Sequence, residues 1–131
     1  MFFGQKAWAE TAPFYYQNLN QAVHYKMGFD ENCHQIDFDD SNWSTINLYT
    51  LSEHQHYCIR ALVDITEKNL PIHTVLKLYM LGSSEIYWDG KLVGKNGIAG
   101  DSISTEKAGR IGITMSMSPE QLSIGKHLLS M

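Results

Sequence analysis

Aromatic and basic side chains occur together on the predicted strands and on one hairpin between residues 60 and 91. An indole or phenol ring can stack on the C–H face of a sugar, while charged side chains hydrogen-bond its hydroxyl groups. Two alternatives stay open, since any single aromatic ring can instead pack in the core and Arg60 can pair with Asp64 on the strand surface. The candidates for ligand binding are Trp88, Tyr87, Arg60, Tyr79 and Lys91.

An acidic segment lies upstream of these residues. Carboxylate oxygens are the ligands that Ca²⁺ prefers, so Asp30, Asp37, Asp39 and Asp40 are the candidates for a structural calcium site. Their spacing does not match an EF-hand loop. The alternative is that they form turns and charged surface. No other cofactor is expected.

The sequence shows no arrangement of residues typical of catalysis. His54 and His56 would project to the same side of an extended chain and could hold a metal ion, but no third ligand follows at a fixed spacing. The motifs GxSxG and HExxH and a glycine-rich phosphate loop are all missing. We therefore expect a non-catalytic protein.

A hairpin positions the aromatic candidates. Asp89-Gly90 stands between apolar residues, and Asp-Gly is a strong hairpin signal because a type I′ turn needs positive φ at both central residues. The residues around it, 84–97, therefore predict a strand, a tight turn, a short return strand and a glycine-terminated loop.

Hydrophobic alternation with a period of two predicts the remaining strands. In the first of them, residues 22–29, the side chains of Val23, Tyr25, Met27 and Phe29 are expected on one face. In the strand at residues 57–65, Arg60 and Asp64 are expected to face outward. Further strands are expected at residues 46–51, 74–81, 111–117 and 126–131, with the strand at 74–81 inside its sheet and covered on both faces.

Two segments lack this alternation. Residues 98–110 are rich in Gly, Ser and Thr and predict a long surface loop. Residues 1–21, interrupted by Pro13, predict a lead-in with a short helical turn or irregular structure. Short strands without alternating helices predict an all-β sandwich of two antiparallel sheets. The chain of 131 residues is expected to form one domain, 1–131, with its last strand truncated at residue 131.

Composition excludes several classes of partner. The formal net charge is -4 and the ten basic residues are scattered, which argues against nucleic acid and against an anionic membrane surface. No signal peptide and no apolar run of about 18 residues is found, so membrane attachment is expected only through other segments of a longer protein. Cys33 and Cys58 are compatible with a disulfide or with two free thiols.

Three motifs in order resemble the galactose-binding-like jelly roll: Asp37 to Trp43, Tyr57 to Arg60, and Ile86 to Gly94. The resemblance covers residues 22–131. Within this fold, the chain is similar to the sugar-binding domain of family-two glycoside hydrolases. Tyr25 and Asp89 stand where that family has tryptophan and asparagine. The hairpin at 88–97, the loop end at 106–109 and residues 122–129 also resemble the extracytoplasmic N-terminal domains of bacterial membrane sensor proteins of the histidine-kinase type.

The second resemblance implies a ligand-sensing or interaction domain of a bacterial signal-transduction protein, on the periplasmic or extracellular side of the membrane. Its partner would be a small molecule, a glycan or another protein. The first resemblance implies the alternative, a carbohydrate-binding accessory module of a glycoside hydrolase. A structural domain that mediates homodimerisation is a third hypothesis.

Overall fold

The computed structural model describes residues 23–45, 55–66, 70, 73–80 and 82–131, together with the backbone of residues 2–5 and 16–18. This part of the chain contains strands but no helix, and so none that could span a membrane. The strands are β1 (Phe2–Gln5), β2 (Tyr16–Asn18), β3 (His24–Met27), β4 (Ser44–Thr45), β5 (Tyr57–Ile65), β6 (Thr74–Tyr79), β7 (Ser84–Trp88), β8 (Lys91–Asn96), β9 (Gly112–Ser116) and β10 (Gly125–Ser130).

These strands form two antiparallel sheets. The smaller sheet has the order β2-β1-β6-β9, and the larger has the order β4-β3-β5-β10-β7-β8. The inner side chains of both sheets share one core, in which Val63 and Ile86 of the large sheet pack with Leu76 and Leu78 of the small sheet. The architecture is the all-β jelly-roll sandwich of galactose-binding-like type that the sequence predicts.

The Asp89-Gly90 hairpin has the predicted form. Asp89 has φ of 49° and Gly90 has φ of 79°, the positive values that a type I′ turn requires. The turn joins β7 to β8, and a register shift follows Ile86, where a bulge increases the local twist. The carboxylate of Asp89 also accepts a hydrogen bond of 2.8 Å from the Leu128 amide, which fixes the turn to β10.

The strand predictions at 57–65, 111–117 and 126–131 are confirmed, and β6 lies inside its sheet as expected. The outer face of β6 is only partly covered, however, because Tyr79 is 39% exposed. The chain from 98 to 110 is an exposed loop, as predicted. The strand expected at residues 46–51 lies outside the described residues.

Two expectations about the N-terminal half are wrong. The first strand was expected to continue to Phe29, but β3 ends at Met27, where Gly28, with φ of 91°, redirects the chain and leaves Met27 and Phe29 60% and 93% exposed. In the lead-in, the backbone of β1 and β2 is extended and pairs with the small sheet. β1 pairs with β6 and β2 pairs with β1, and hydrophobic periodicity does not reveal such pairing between distant segments.

Candidate functional site

A row of polar side chains crosses the outer face of the large sheet. His24, Arg60, Ser130 and Tyr87 are cross-strand neighbours in register, on β3, β5, β10 and β7 respectively. Directly opposed residues in an antiparallel sheet point to the same face, so their side chains are adjacent. We call this set the polar row.

Residues 30–43, which we call the covering loop, lie over the polar row. The guanidinium of Arg60 donates to the Asp40 carboxylate at 2.7 Å and to the backbone carbonyls of Asn32, Cys33, Gln35 and Phe38 at 2.8 to 3.2 Å. Only 2% of Arg60 is exposed. A buried guanidinium needs this full set of acceptors, so Arg60 holds the covering loop on the sheet.

Arg60 points to the outer face of the large sheet, as predicted, but the covering loop buries it. The alternative of an exposed ion pair with Asp64 on the strand surface is therefore wrong. The ion pair of Arg60 is with Asp40, whose second oxygen accepts a 2.7 Å hydrogen bond from His24. Burial raises the pKa of Asp40, but the bonds from Arg60 and His24 outweigh it and leave that pKa below its ordinary value. The carboxylate is thus kept ionised as the partner of Arg60.

A disulfide also holds the covering loop. Cys33 of the loop is bonded to Cys58 of β5, with 5.8 Å between their Cα atoms. Both residues are buried, and their separation of 25 residues makes the bond a long-range link between loop and sheet. The sequence left open whether these cysteines are bonded, and the structure pairs them.

His34 of the covering loop lies on the Tyr87 ring. The two ring centroids are 3.5 Å apart, and His34 Nδ1 is 2.8 Å from the hydroxyl of Ser130, which is fully buried. Burial lowers the pKa of His34, a change that Glu85 opposes and Arg60 reinforces. His34 is therefore held in its neutral form, which fits a ring stacked flat on a phenol.

Tyr87 itself donates a 3.0 Å hydrogen bond to Glu85. Burial and the nearby Glu85 carboxylate together raise the pKa of the Tyr87 phenol. The same hydrogen bond, with that of Lys95, lowers the pKa of Glu85. Tyr87 thus stays protonated and donates a hydrogen bond at neutral pH, with one ring face already occupied by His34.

Trp88 lies on the opposite, inner face of the same sheet. It is 2% exposed, its indole N–H donates to the Gln121 carbonyl at 2.8 Å, and His127 stacks on its ring. The ring nitrogens of His127 lie 2.6 Å from Asp89 and 2.6 Å from the Ser123 carbonyl. Both nitrogens are engaged, so the buried His127 has none free for acid–base chemistry.

The five predicted ligand residues are thus not brought together. Trp88 and Arg60 are buried on opposite faces of the large sheet, and Tyr87 is partly covered. Lys91 is exposed beside the hairpin turn, while Tyr79 lies on the small sheet. A role of these residues in ligand binding stays a prediction. For Trp88 the structure agrees with the alternative, because its ring packs in the core.

The four predicted calcium ligands are also dispersed. Asp30 bonds Lys26 and the Asn32 amide, Asp39 bonds the Ser41 amide, and Asp40 belongs to the Arg60 pair. Asp37 is exposed. Within the part of the chain that the structure describes, no three His, Cys, Asp or Glu side chains are placed to share a metal ion. A calcium ion at these residues stays a prediction. The alternative, that the carboxylates form turns, fits the bonds of Asp30 and Asp39 to backbone amides two residues further on.

A groove runs where the edges of the two sheets meet. Strand β8 ends the large sheet, β9 ends the small one, and the space beside them has a volume of about 720 Å³. This volume lies in the range of small-molecule sites, about 300–1,000 Å³. We call it the edge groove; it is lined by residues 95–97, 108–110 and 112–115.

One buried side chain shapes the edge groove. The amide of Asn96, which is 3% exposed, donates to the Arg110 carbonyl at 2.7 Å and accepts from the Arg110 amide at 2.8 Å. A second link joins Ile98 and Lys107 by two backbone hydrogen bonds of 2.7 and 2.8 Å. These bonds tie both ends of the loop 98–110, so Arg110 returns to the groove at a fixed position.

Glycines allow this close packing. Gly97 has φ of 71°, and a Cβ atom there would collide with the backbone of residues 107–109. At Gly109 a Cβ atom would collide with the side chain of Asn96. The ring of Tyr79 lies against Gly112, where an added Cβ would be 3.1 Å from it. Tyr79 is therefore the one predicted ligand residue that borders the edge groove.

Sequence reasoning missed this groove. It identified residues 98–110 as a loop but gave no role to Arg110 or Asn96. The available signal was the single arginine at the end of a glycine-rich loop, with an asparagine just before Gly97. Their pairing across 14 residues is a tertiary contact, which no local pattern encodes.

Comparison with known proteins finds a similar fold in a solved structure. No protein-family model and no curated protein sequence matches this chain. Among solved structures, a β-glucuronidase from Bacteroides uniformis matches with a TM-score of 0.61 and 22% identity over 87% of this chain. The match takes in 14% of the β-glucuronidase chain, so the present sequence corresponds to one domain-sized part of it.

This match supports one of the two resemblances. The part of the β-glucuronidase that matches this chain shares its β-sandwich fold, which is the fold that the first resemblance implies. At this identity the likeness establishes the fold alone. The comparison gives no support to the resemblance to bacterial sensor domains, nor to the signalling, periplasmic and membrane assignments that came with it.

Proposed function

We propose that this chain is an accessory β-sandwich domain of a glycoside hydrolase of the family-two kind, and that it binds carbohydrate without hydrolysing it. The observation that carries the proposal is the structural match over 87% of the chain to part of a β-glucuronidase. That part is small relative to the whole enzyme, which is what an accessory domain requires.

The side-chain chemistry of the described residues supports a binding role rather than catalysis. Hydrolysis of a glycosidic bond needs two carboxyl groups facing each other across a cleft, about 5 to 10 Å apart. The residues that line the edge groove include no carboxylate. The half-buried Asp89 and Asp40 are each committed to a histidine.

The disulfide supports a location outside the cytoplasm. Disulfides persist in oxidising compartments and are rare in the cytosol, and Cys33 and Cys58 are bonded here. An enzyme exported to act on extracellular polysaccharide would meet this condition. This location outside the cytoplasm is part of the proposal. Protein isolated from its native host should contain the disulfide if it is exported, and two free thiols if it stays in the cytosol.

A glycan array probed with the 131-residue chain tests the proposal. We expect selective binding to a small group of plant or microbial oligosaccharides, and no release of 4-nitrophenol from 4-nitrophenyl glycosides. Thr114→Tyr would place a large ring in the edge groove and should abolish array binding. Ser116→Tyr, on the same exposed face of β9 but outside the groove, is the matched control. Absence of binding to every glycan, or measurable hydrolysis, would contradict the proposal.

A further inference from the structure

The edge groove differs in charge from the rest of the protein. The chain has a formal net charge of -4, yet the groove lining contains the two cations Lys95 and Arg110 and no carboxylate. A concave site lined by one sign of charge concentrates ligands of the opposite sign. The lining therefore favours an anion.

Arg110 has a guanidinium available for a ligand. Its backbone is held at both the amide and the carbonyl by Asn96, while its exposed side chain forms no hydrogen bond or ion pair with the described residues. A guanidinium presents two parallel N–H donors that match a carboxylate or sulfate. Because the main chain is already fixed, binding would order only the side chain.

Lys95 of strand β8 supplies a second charge in the groove lining. Its amine is 3.3 Å from Glu85, and the Lys95 side chain is 60% exposed. An exposed pair of this kind contributes little to stability, so Lys95 can exchange Glu85 for a ligand anion at small cost. The two cations then approach the ligand from strand β8 and from the loop 98–110.

The floor of the groove is apolar as well as polar. Ile113 and Met115 are half-buried and pack against the core, and they also line the groove. Gly109 and Gly112 also belong to the lining, with the Asn96 side chain and the Tyr79 ring already packed against them. A simple inorganic anion would not use the apolar part, whereas a sugar ring has a C–H face that does.

We infer that the edge groove binds an anionic saccharide, with Arg110 bonded to its carboxylate or sulfate group and Ile113 and Met115 against the ring. This inference rests on the proposed carbohydrate-binding function and adds the chemical class of the ligand. Arg110 is a ligand-binding residue in it, Lys95 supports the same anion, and Asn96 positions Arg110.

Calorimetric titration of the 131-residue chain tests the inference with matched probes. One probe is a tetrasaccharide with glucuronate at alternate positions, the second is the same tetrasaccharide with its carboxyl groups reduced to alcohols, and the third is the reduced form carrying sulfate esters. We expect the reduced probe to bind at least about tenfold more weakly than the carboxylated one, as expected for loss of a charge-assisted bond. The sulfated probe identifies which anion the groove prefers.

Variants assign the binding to the groove. Arg110→Gln should lower the affinity for the carboxylated probe at least about tenfold, and Lys95→Gln should lower it to a smaller extent. Lys107→Gln removes the same charge from the same loop, but residue 107 does not line the groove, so binding should be unchanged. Raising the salt concentration should weaken the wild type more than Arg110→Gln.

The outcomes separate this inference from the proposed function. Equal binding of charged and reduced probes, unaffected by Arg110→Gln, would overturn the anionic assignment while carbohydrate binding stands. Equal loss in Lys107→Gln and Arg110→Gln would show a diffuse charge effect and would also overturn it. If neither these probes nor any glycan on the array binds, both the inference and the proposed function fail.

Discussion

The polar row and the edge groove are both rich in polar groups, but the arginine of the first is buried and bonded, whereas the arginine of the second has an exposed side chain. Arg60 is 2% exposed and donates to five acceptors. Arg110 is exposed, and only its backbone is bonded to the described residues. They are the two arginines of the chain, so the comparison isolates the effect of the surroundings on one side-chain type.

This difference teaches which of the two regions can bind a ligand. A buried guanidinium without acceptors is very costly, so the fold must supply partners for Arg60, and those partners leave it no free donor. An exposed guanidinium keeps its donors for a ligand. The polar row therefore stabilises the fold, and the edge groove is the region whose arginine has hydrogen-bond donors available for a ligand.

The sharpest test replaces each arginine by methionine. Arg60→Met leaves Asp40 without its main partner and removes the bonds that hold the covering loop, so we expect a loss of about 3–5 kcal/mol in the free energy of unfolding. Urea unfolding followed by tryptophan fluorescence measures it. Arg110→Met should change stability by less than about 0.5 kcal/mol. Similar losses for the two variants would show that the contrast between the regions is wrong.

The disulfide is expected to have the second-largest effect. Replacing Cys33 and Cys58 together by alanine opens a link that spans 25 residues, and the chain-entropy model predicts a loss of about 3 kcal/mol. Reduction of the wild-type protein should lower the urea midpoint to a similar extent, while the double variant should not respond to the reductant. A wild-type midpoint that is insensitive to reductant would contradict the covalent attachment of the covering loop.

Asn96 provides a test on the groove side. Asn96→Ala removes two hydrogen bonds from a buried position and leaves the amide and carbonyl of Arg110 unpaired, which should cost about 1–3 kcal/mol. Asn42→Ala, at an exposed turn, is the control and should be nearly neutral. Thermal unfolding of the two variants gives the comparison. A neutral Asn96→Ala would mean that the groove wall does not depend on this clamp.

The smallest effect is a pH dependence that comes from the covering loop. Because burial lowers the pKa of His34 below its ordinary value of 6.5, the unfolded chain takes up a proton first as the pH falls. Stability is then complete above about pH 6.5 and decreases as the pH falls from there toward the folded-state pKa. Urea midpoints at pH 7.5 and 5.0 measure the decrease, which should be smaller in His34→Gln. The same slope in both proteins would assign it to another group.

Part of the fold could be predicted because it follows from local rules. The alternation in residues 57–65 and 111–117 predicts strands β5 and β9, since one face of each strand is buried. The same rule extended the first strand to Phe29, although the left-handed Gly28 ends it at Met27. It also missed β1 and β2, because these short strands form through pairing of β1 with β6 and of β2 with β1.

The site was predicted less well, because residue type does not reveal environment. Trp88 and Arg60 have the chemistry of ligand-binding residues, but the fold places each of them against internal partners. The order of the strands brings β8 and β9 together at the sandwich edge, although 15 residues lie between Asn96, the last of β8, and Gly112, the first of β9.

The sequence by itself determined the Asp89-Gly90 turn, the strand periodicity and the all-β class, because each depends on residues a few positions apart. Only the tertiary structure decided that Cys33 meets Cys58, that Arg60 is buried under the covering loop, and that Arg110 stays open beside a groove. These outcomes depend on contacts between distant segments. Their free energy comes from burial and from satisfied hydrogen bonds, and both exist only once the two sheets have packed together.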